Sequence, residues 1–337
     1  MNESFDVVAL VEGGAKAVGT MDESRWFDEL DTHRESVRAF VATALEADDG
    51  AAVAHLGSIL WPYWTRRATD GSDWLERSVA AVERSSTPPS EELGLLLYGA
   101  GLAAFRRGDN ARCRALNQRS LDTGDEAHSA LAQARGHVGL SRAAFRDHDW
   151  TLGIEHARAA GRVAEASGDK PGVLMAVHME AEISRAAGDY PGAVPLYERL
   201  LSSDREASDI RAEAMELYNL GSVLVQIGEL DRAESCLRES LRLADEQREP
   251  DQLAYTCLGL AGLAARRNDP ATAGRLLGAV EAYFRAAERV LDPAEQIELQ
   301  SHRNAGESAG QAVFAAAYAA GRALPVRQAA AAYLEAR

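Results

Sequence analysis

The sequence is poor in cysteine, in aromatic side chains and in positive charge, and each shortage closes a route. Three cysteines, Cys113, Cys236 and Cys257, are an odd number with no CxxC spacing. They argue against a disulfide framework or a thiolate metal site and read as small buried hydrophobes in a reducing compartment. Lys+Arg number 36 against 52 Asp+Glu, a formal charge of −16. A surface so acidic repels phosphate backbones within a Debye length, which argues against direct nucleic-acid binding. No window approaches eighteen uninterrupted apolar residues, and MNESFDVVALVEGG lacks the basic start and long apolar core of a signal peptide. The expectation is a cytoplasmic protein without a membrane span. No alternating Val/Ile/Thr run marks a strand either.

What remains is helical. Residues are 46% hydrophobic and 26% charged, ample for a packed core. Alanine-rich stretches recur throughout, and Ala, Leu, Arg and Glu lose little free energy on entering a helix.

The helices repeat. Turn-like pairs stand at Gly108-Asp109, His148-Asp149, Gly188-Asp189, Gly228-Glu229 and Asn268-Asp269, each forty residues after the last. Gly and Asn suit the left-handed conformation that ends a helix, and the following acid suits the start of the next. Seven residues before each pair stand Gly101, Ser141, Ala181, Gly221 and Ala261; five residues after its first member stand Cys113, Gly153, Ala193, Ala233 and Ala273. Both columns hold only small residues, as close contact between the two helices of a pair demands. A fixed period in this range is the mark of a solenoid.

The twelve-residue offset between the small columns, with a turn between them, matches the tetratricopeptide repeat, lengthened from its usual span of about 34 residues. The predicted fold is all-α: a right-handed tetratricopeptide-repeat superhelical solenoid with terminal capping helices. Its expected divisions are lead-in helices over 1–50, a degenerate first helix pair over 51–90, five 40-residue pairs over 91–290, and capping helices over 291–337. Pro88-Pro89 marks the join to the regular units, and Gly321 and Pro325 interrupt the cap.

The tail carries a more particular signature. AARRNDPATAGRLLGAVEAYF (264–284) followed by FAAAYAAGRALPVRQAAA (314–331) resembles the C-terminal end of actinobacterial LuxR- and SARP-type signal-transduction ATPase regulators, whose repeat region is MalT-like. SRWFDELDTHRESVRAFVATAL (24–45) is similar to the stretch joining their ATPase module to the repeats. There is no G-x-x-x-x-G-K-[ST]: Glu12-Gly13-Gly14-Ala15-Lys16 lacks the spacing and the magnesium-holding hydroxyl. No helix-turn-helix follows the repeats. The resemblance therefore implies the sensor role of the repeats, without the family's ATP hydrolysis or DNA binding.

In such solenoids the first helix of each pair lines the inner face. Aligned on the small column, its rows read Tyr98, Val138, His178, Tyr218, Leu258; Leu102, Arg142, Glu182, Ser222, Gly262; Phe105, Phe145, Arg185, Val225, Ala265; and Leu95, Arg135, Met175, Met215, Tyr255. Spacings of three, four and seven place them on one helical face. Arg135, Arg142, Arg146 and Arg185 cluster there in an otherwise acidic chain. Guanidinium forks suit a carboxylate or phosphate, so one reading is a clamp for the anionic end of a peptide or small acidic effector. The other is that Arg142 pairs with Glu182 and ties repeats together. A further row holds Gly99, Gly139, Met179, Asn219 and Gly259. Glycine inside a helix costs about 1 kcal/mol against alanine, so its repetition points to close approach of another backbone or a ligand. Asn219 suits a peptide main chain, or equally an interhelix hydrogen bond. The candidate ligand-binding set is Arg135, Arg142, His178, Glu182, Arg185, Tyr218, Asn219 and Ser222.

Signals for chemistry are weaker. His178-x-Glu180 is two apart, on different helix faces, unlike the i, i+4 spacing of a helical metal pair. Asp147-His148-Asp149 falls at a corner, where such residues cap helices. Trp61, Tyr63 and Trp64 suggest packing more than an aromatic cage. No metal or cofactor is expected. The preferred function is a non-catalytic, regulatory sensor or scaffold binding a peptide, small acidic effector or protein partner, with self-association possible on the exposed edges. The alternative is a repeat-shell enzyme, for example of a biosynthetic pathway, using His178, Glu182, Arg142 and Tyr218 in the same groove.

Overall fold

In a computed structural model, which describes residues 6–18, 22–287 and 290–335, every regular element is a helix. The chain divides into two compact units, Met1–Met179 and Glu180–Arg337, the division falling inside one helix. The first unit holds α1 (Val7–Ala17), α2 (Glu23–Thr32), α3 (Arg34–Glu46), α4 (Gly50–Arg66), α5 (Gly71–Arg84), α6 (Glu91–Arg106), α7 (Asn110–Glu126), α8 (Ala130–Arg146) and α9 (Trp150–Ser167), and α10 (Lys170–Ala186) begins in it. The second holds the end of α10, then α11 (Tyr190–Ala207), α12 (Ile210–Ile227), α13 (Leu230–Glu246), α14 (Pro250–Arg266), α15 (Pro270–Ala286), α16 (Pro293–Gly321) and α17 (Val326–Glu335). No helix among the described residues is long and apolar enough to cross a membrane.

Each predicted corner is a left-handed residue followed by the N-terminal boundary residue of the next helix, and four of those five boundary residues cap it with a side chain. Gly108, His148, Gly188, Gly228 and Asn268 have φ of 82°, 61°, 83°, 85° and 61°. Asp109, Asp149, Asp189 and Asp269 each accept a backbone N–H three residues on, at 3.0–3.1 Å. This satisfies one of the orphan donors of the new helix. Glu229, one methylene longer, makes no such bond.

The punctuation is twice as frequent as the forty-residue signal suggested. His128, Gly168, Ser208 and Arg248 also have positive φ, and Ser129, Asp169 and Asp209 cap the helices that follow. A corner thus recurs every twenty residues from 108 to 268.

Helices pack in antiparallel sequence within each unit. The first helices of successive pairs also touch, α4 on α6 and α6 on α8 in the first unit, α12 on α14 in the second. The small columns permit this. Ser141 Oγ donates to the Gly153 carbonyl at 2.8 Å, one small column meeting the other. Gly99 and Gly139 accept the Trp61 and Asn117 side chains against their bare Cα atoms, and Gly259 accepts Leu237. The close approach that these glycines signal is therefore made by side chains of the preceding helix pair. Around the lead-in helices the core is rich in large side chains, including Trp26, Phe27, Leu30, Leu60, Tyr63 and Trp64.

Candidate functional site

In the first unit, α6 and α8 carry a basic and aromatic strip. Arg142 donates to the Tyr98 hydroxyl at 2.7 Å, across 44 residues of sequence. The Arg146 guanidinium sits 4.0 Å from the centre of the Phe105 ring, a cation–π geometry. Arg135 is turned into the structure: it pairs with Asp169 at 2.9 Å, both side chains being largely covered. His178, late in the first unit, is half-buried. Arg142 and Leu102 are likewise half-buried and leave part of the strip open.

The second unit gathers its predicted residues around one guanidinium. Arg185, on the last turn of α10, is 2% exposed and donates to Glu182 at 2.9 Å, to Glu295 at 2.5 Å and to Glu298 at 3.3 Å. Tyr197 on α11 donates to Glu182 at 2.5 Å. The ring of Tyr218 on α12 lies 5.6 Å from the same guanidinium. Burial works against the charge on Arg185, but Glu182 and Glu298 hold its pKa well above the ordinary value. Three carboxylates share this one cation in a buried space. Burial, only partly offset by Arg185, accordingly raises the pKa of Glu295 from 4.5 to about 8. It raises that of Glu298 as well.

Two of those carboxylates come from a helix that carried no functional signal in the sequence. Glu295 and Glu298 lie on α16, which packs on α14 and α15. One stretch of it buries Glu295, Glu298, His302 and Gly306, three and four apart, on a single stripe. The His302 ring is seated over Gly262 of α14, where a Cβ would overlap it. Burial lowers the pKa of this imidazole from 6.5 to about 4. Glu182, Arg185, Tyr218 and Gly262, all from the predicted inner rows, are thus the surface that α16 covers.

Asn219 and Ser222 are placed differently. Asn219 is 3% exposed and its amide donates to Glu216 one turn back on α12, at 3.1 Å. Ser222 is fully buried, beside the bare Cα of Gly259. Both are buried in the helix packing.

The residues weighed for chemistry take structural roles. His148 occupies a left-handed corner with its ring on Trp150, 5.0 Å between centroids. Trp61 meets Tyr98 edge-on at 5.1 Å, Trp64 stacks on Trp74, and Tyr63 donates to Asp31 at 2.8 Å, so the three diverge. Burial pushes the Cys113 thiol up to about 11 and that of Cys257 to about 12, far from thiolate reactivity. Among the described residues no group of three or more His, Cys, Asp or Glu is placed to hold a metal ion.

Comparison with known proteins bears on the fold. A model described as "Tetratricopeptide repeat" matches residues 180–211 and 216–251, the α10–α13 stretch of the second unit. No curated protein matches the chain. Among solved structures, the chain is similar to aspartyl phosphate phosphatase F from Bacillus subtilis, with a TM-score of 0.51, 11% sequence identity, and coverage of 91% of this chain and 80% of that one. At that identity the likeness speaks for the fold alone. The chain is an all-α protein built of tetratricopeptide-type helix pairs.

Proposed function

We propose that this protein is a non-catalytic regulatory scaffold that binds a protein or peptide partner on the face of its first helices. The observation that carries the reading is that this face, in the second unit, already holds a helix. Arg185, Tyr218 and Gly262 come from three different helices and together accept one side of α16. Grooves between repeat helices suit amphipathic helices, read as anchors at three, four and seven residues. In the first unit the corresponding strip leaves Leu102, Arg142 and Arg146 partly exposed over the buried rings of Tyr98 and Phe105. That combination fits an acidic segment of a partner. The resemblance of the tail to signal-transduction regulators supports the regulatory part of the reading.

The test is site-specific photocrosslinking in cells that express the full chain. A photoreactive residue in place of Leu102 should capture one partner, whereas the same group in place of Gln118, exposed on α7, should not. Capture from position 118 alone, or none from 102, would overturn the reading.

A further inference from the structure

The helix on the second unit's face does not look like a permanent part of a core. α16 is two helices joined at Gly310, where φ 174° and ψ 84° break the helical path. The stretch after the joint is locked to α15 by backbone contact. Gly274 lies under the Phe314 carbonyl, Gly278 under the Tyr318 carbonyl, and Gly321 against the Arg275 carbonyl, each with no room for a Cβ. The Tyr318 hydroxyl adds a bond to Glu281 at 2.5 Å.

The stretch before the joint is held mainly by polar side chains, among them Arg303, which pairs with Glu281 and donates to Tyr318 at 3.3 Å. Its buried stripe holds two carboxylates and an imidazole, while Ile297 is 41% exposed on the opposite side. A helix selected only for the core would have these faces reversed. Buried ion pairs repay little more than their desolvation, so such a contact adds specificity with little net stability. Polar interfaces within one chain behave as transient ones do.

Building on the reading above, we infer that Pro293–Gly306 is an intramolecular competitor on the second unit's binding face, and that the partner for this face is an acidic helix presenting two carboxylates three residues apart to Arg185. The arm swings at Gly310 while the stretch beyond it stays rooted on α15. Partner and arm then compete for the same guanidinium, so the free protein is self-covered and the bound one releases its arm. The imidazole seat over Gly262 sets the register for either occupant.

The probe is a fluorescent synthetic peptide of residues 293–309. Its binding by anisotropy is compared for the full wild-type chain and for E295A/E298A, whose own arm lacks the carboxylates but which keeps the Arg185–Glu182 pair. If the face is open a tenth of the time in wild type, the variant binds about tenfold tighter. A peptide with Gln at both positions binds neither protein. Equal affinity of wild type and variant for the acidic peptide overturns the inference, as does equal binding of the Gln peptide. Hydrogen exchange on the unaltered chain is a second reading: amides of 296–305 should exchange at least about tenfold faster than those of 313–320, as a separately opening segment does. Equal protection overturns the inference without any variant. If peptide binding fails while position 102 still captures a partner, the competitor is wrong and the scaffold reading stands; loss of capture overturns the scaffold reading itself.

Discussion

Arg185 Nη2 lies 2.5 Å from Glu295 Oε1, joining residues 110 positions apart in the sequence. This contact is made between polar groups rather than hydrocarbon. Removing one side of it leaves the other buried without its counterion. Arg185→Met is expected to destabilise the second unit by about 3–5 kcal/mol. The triple change R185M/E295Q/E298Q is expected to recover most of that. Unfolding followed by hydrogen exchange across α12–α14 is the measurement; a triple variant no more stable than the single one contradicts the argument.

The same cluster sets a pH dependence whose sign follows from two opposed groups. The pKa of Glu295 is raised on folding from 4.5 to about 8, so its contribution is full below 4.5 and is lost as pH rises through about 8. That of His302 is lowered from 6.5 to about 4, so its contribution is full above 6.5 and is lost as pH falls towards 4. Between pH 6.5 and 8 the histidine is flat and the buried glutamates set the slope. Protection of 296–305, corrected for intrinsic exchange, should therefore fall over that window in wild type and fall less in E295Q. Glu298, whose pKa burial also raises, acts in the same direction.

The first unit has its own acid-sensitive pair. The Nδ1 atoms of His137 and His156 are 3.0 Å apart, so one ring must donate and the other accept. Both pKa values are lowered by burial, that of His137 further by its neighbour. Their contribution is present above the ordinary imidazole value and is lost as pH falls. All five tryptophans, Trp26, Trp61, Trp64, Trp74 and Trp150, lie in this unit, so tryptophan fluorescence follows it selectively. H156Q should lose less stability than wild type between pH 7 and 5. An identical loss would mean that the pair does not set the acid limb.

The corners allow a test with both signs. D189A removes a cap bond of 3.1 Å and should cost about 1 kcal/mol. E229D shortens a corner acid that, like Glu249, fails to cap, and should gain a few tenths to about 1 kcal/mol. Urea unfolding of both variants decides this, and a destabilised E229D would show that the Glu229–Arg232 pair at 2.6 Å matters more than the missing cap.

Fold and site were legible to different depths. The forty-residue corners could be read because Gly and Asn recur there with an acid beside them. The alternate corners hold His128, Gly168, Ser208 and Arg248, three of which give no left-handed signal, although Ser129, Asp169 and Asp209 stood after them as caps. Glu182, Arg185, Tyr218 and Gly262, read from the sequence as one helical face, do share one surface. What covers that surface was not readable. Glu295, Glu298 and His302 look like the solvated side of a polar helix until Arg185 is known to face them. The tail signature acquires a physical meaning: Gly278 and Glu281 in its first segment meet Tyr318 in its second, so the two halves of the motif are one helix contact.

One consequence of the twenty-residue punctuation concerns chain length. Each helix is timed between a left-handed stop and a capping start, and the small columns sit at fixed counts from both. A single inserted residue inside α12 turns every later side chain of that helix by about 100°. Gly221 would then leave its place opposite Ala233, and a bulkier neighbour would be driven against α13. Spelling within a helix is therefore loosely policed, while its letter count is not.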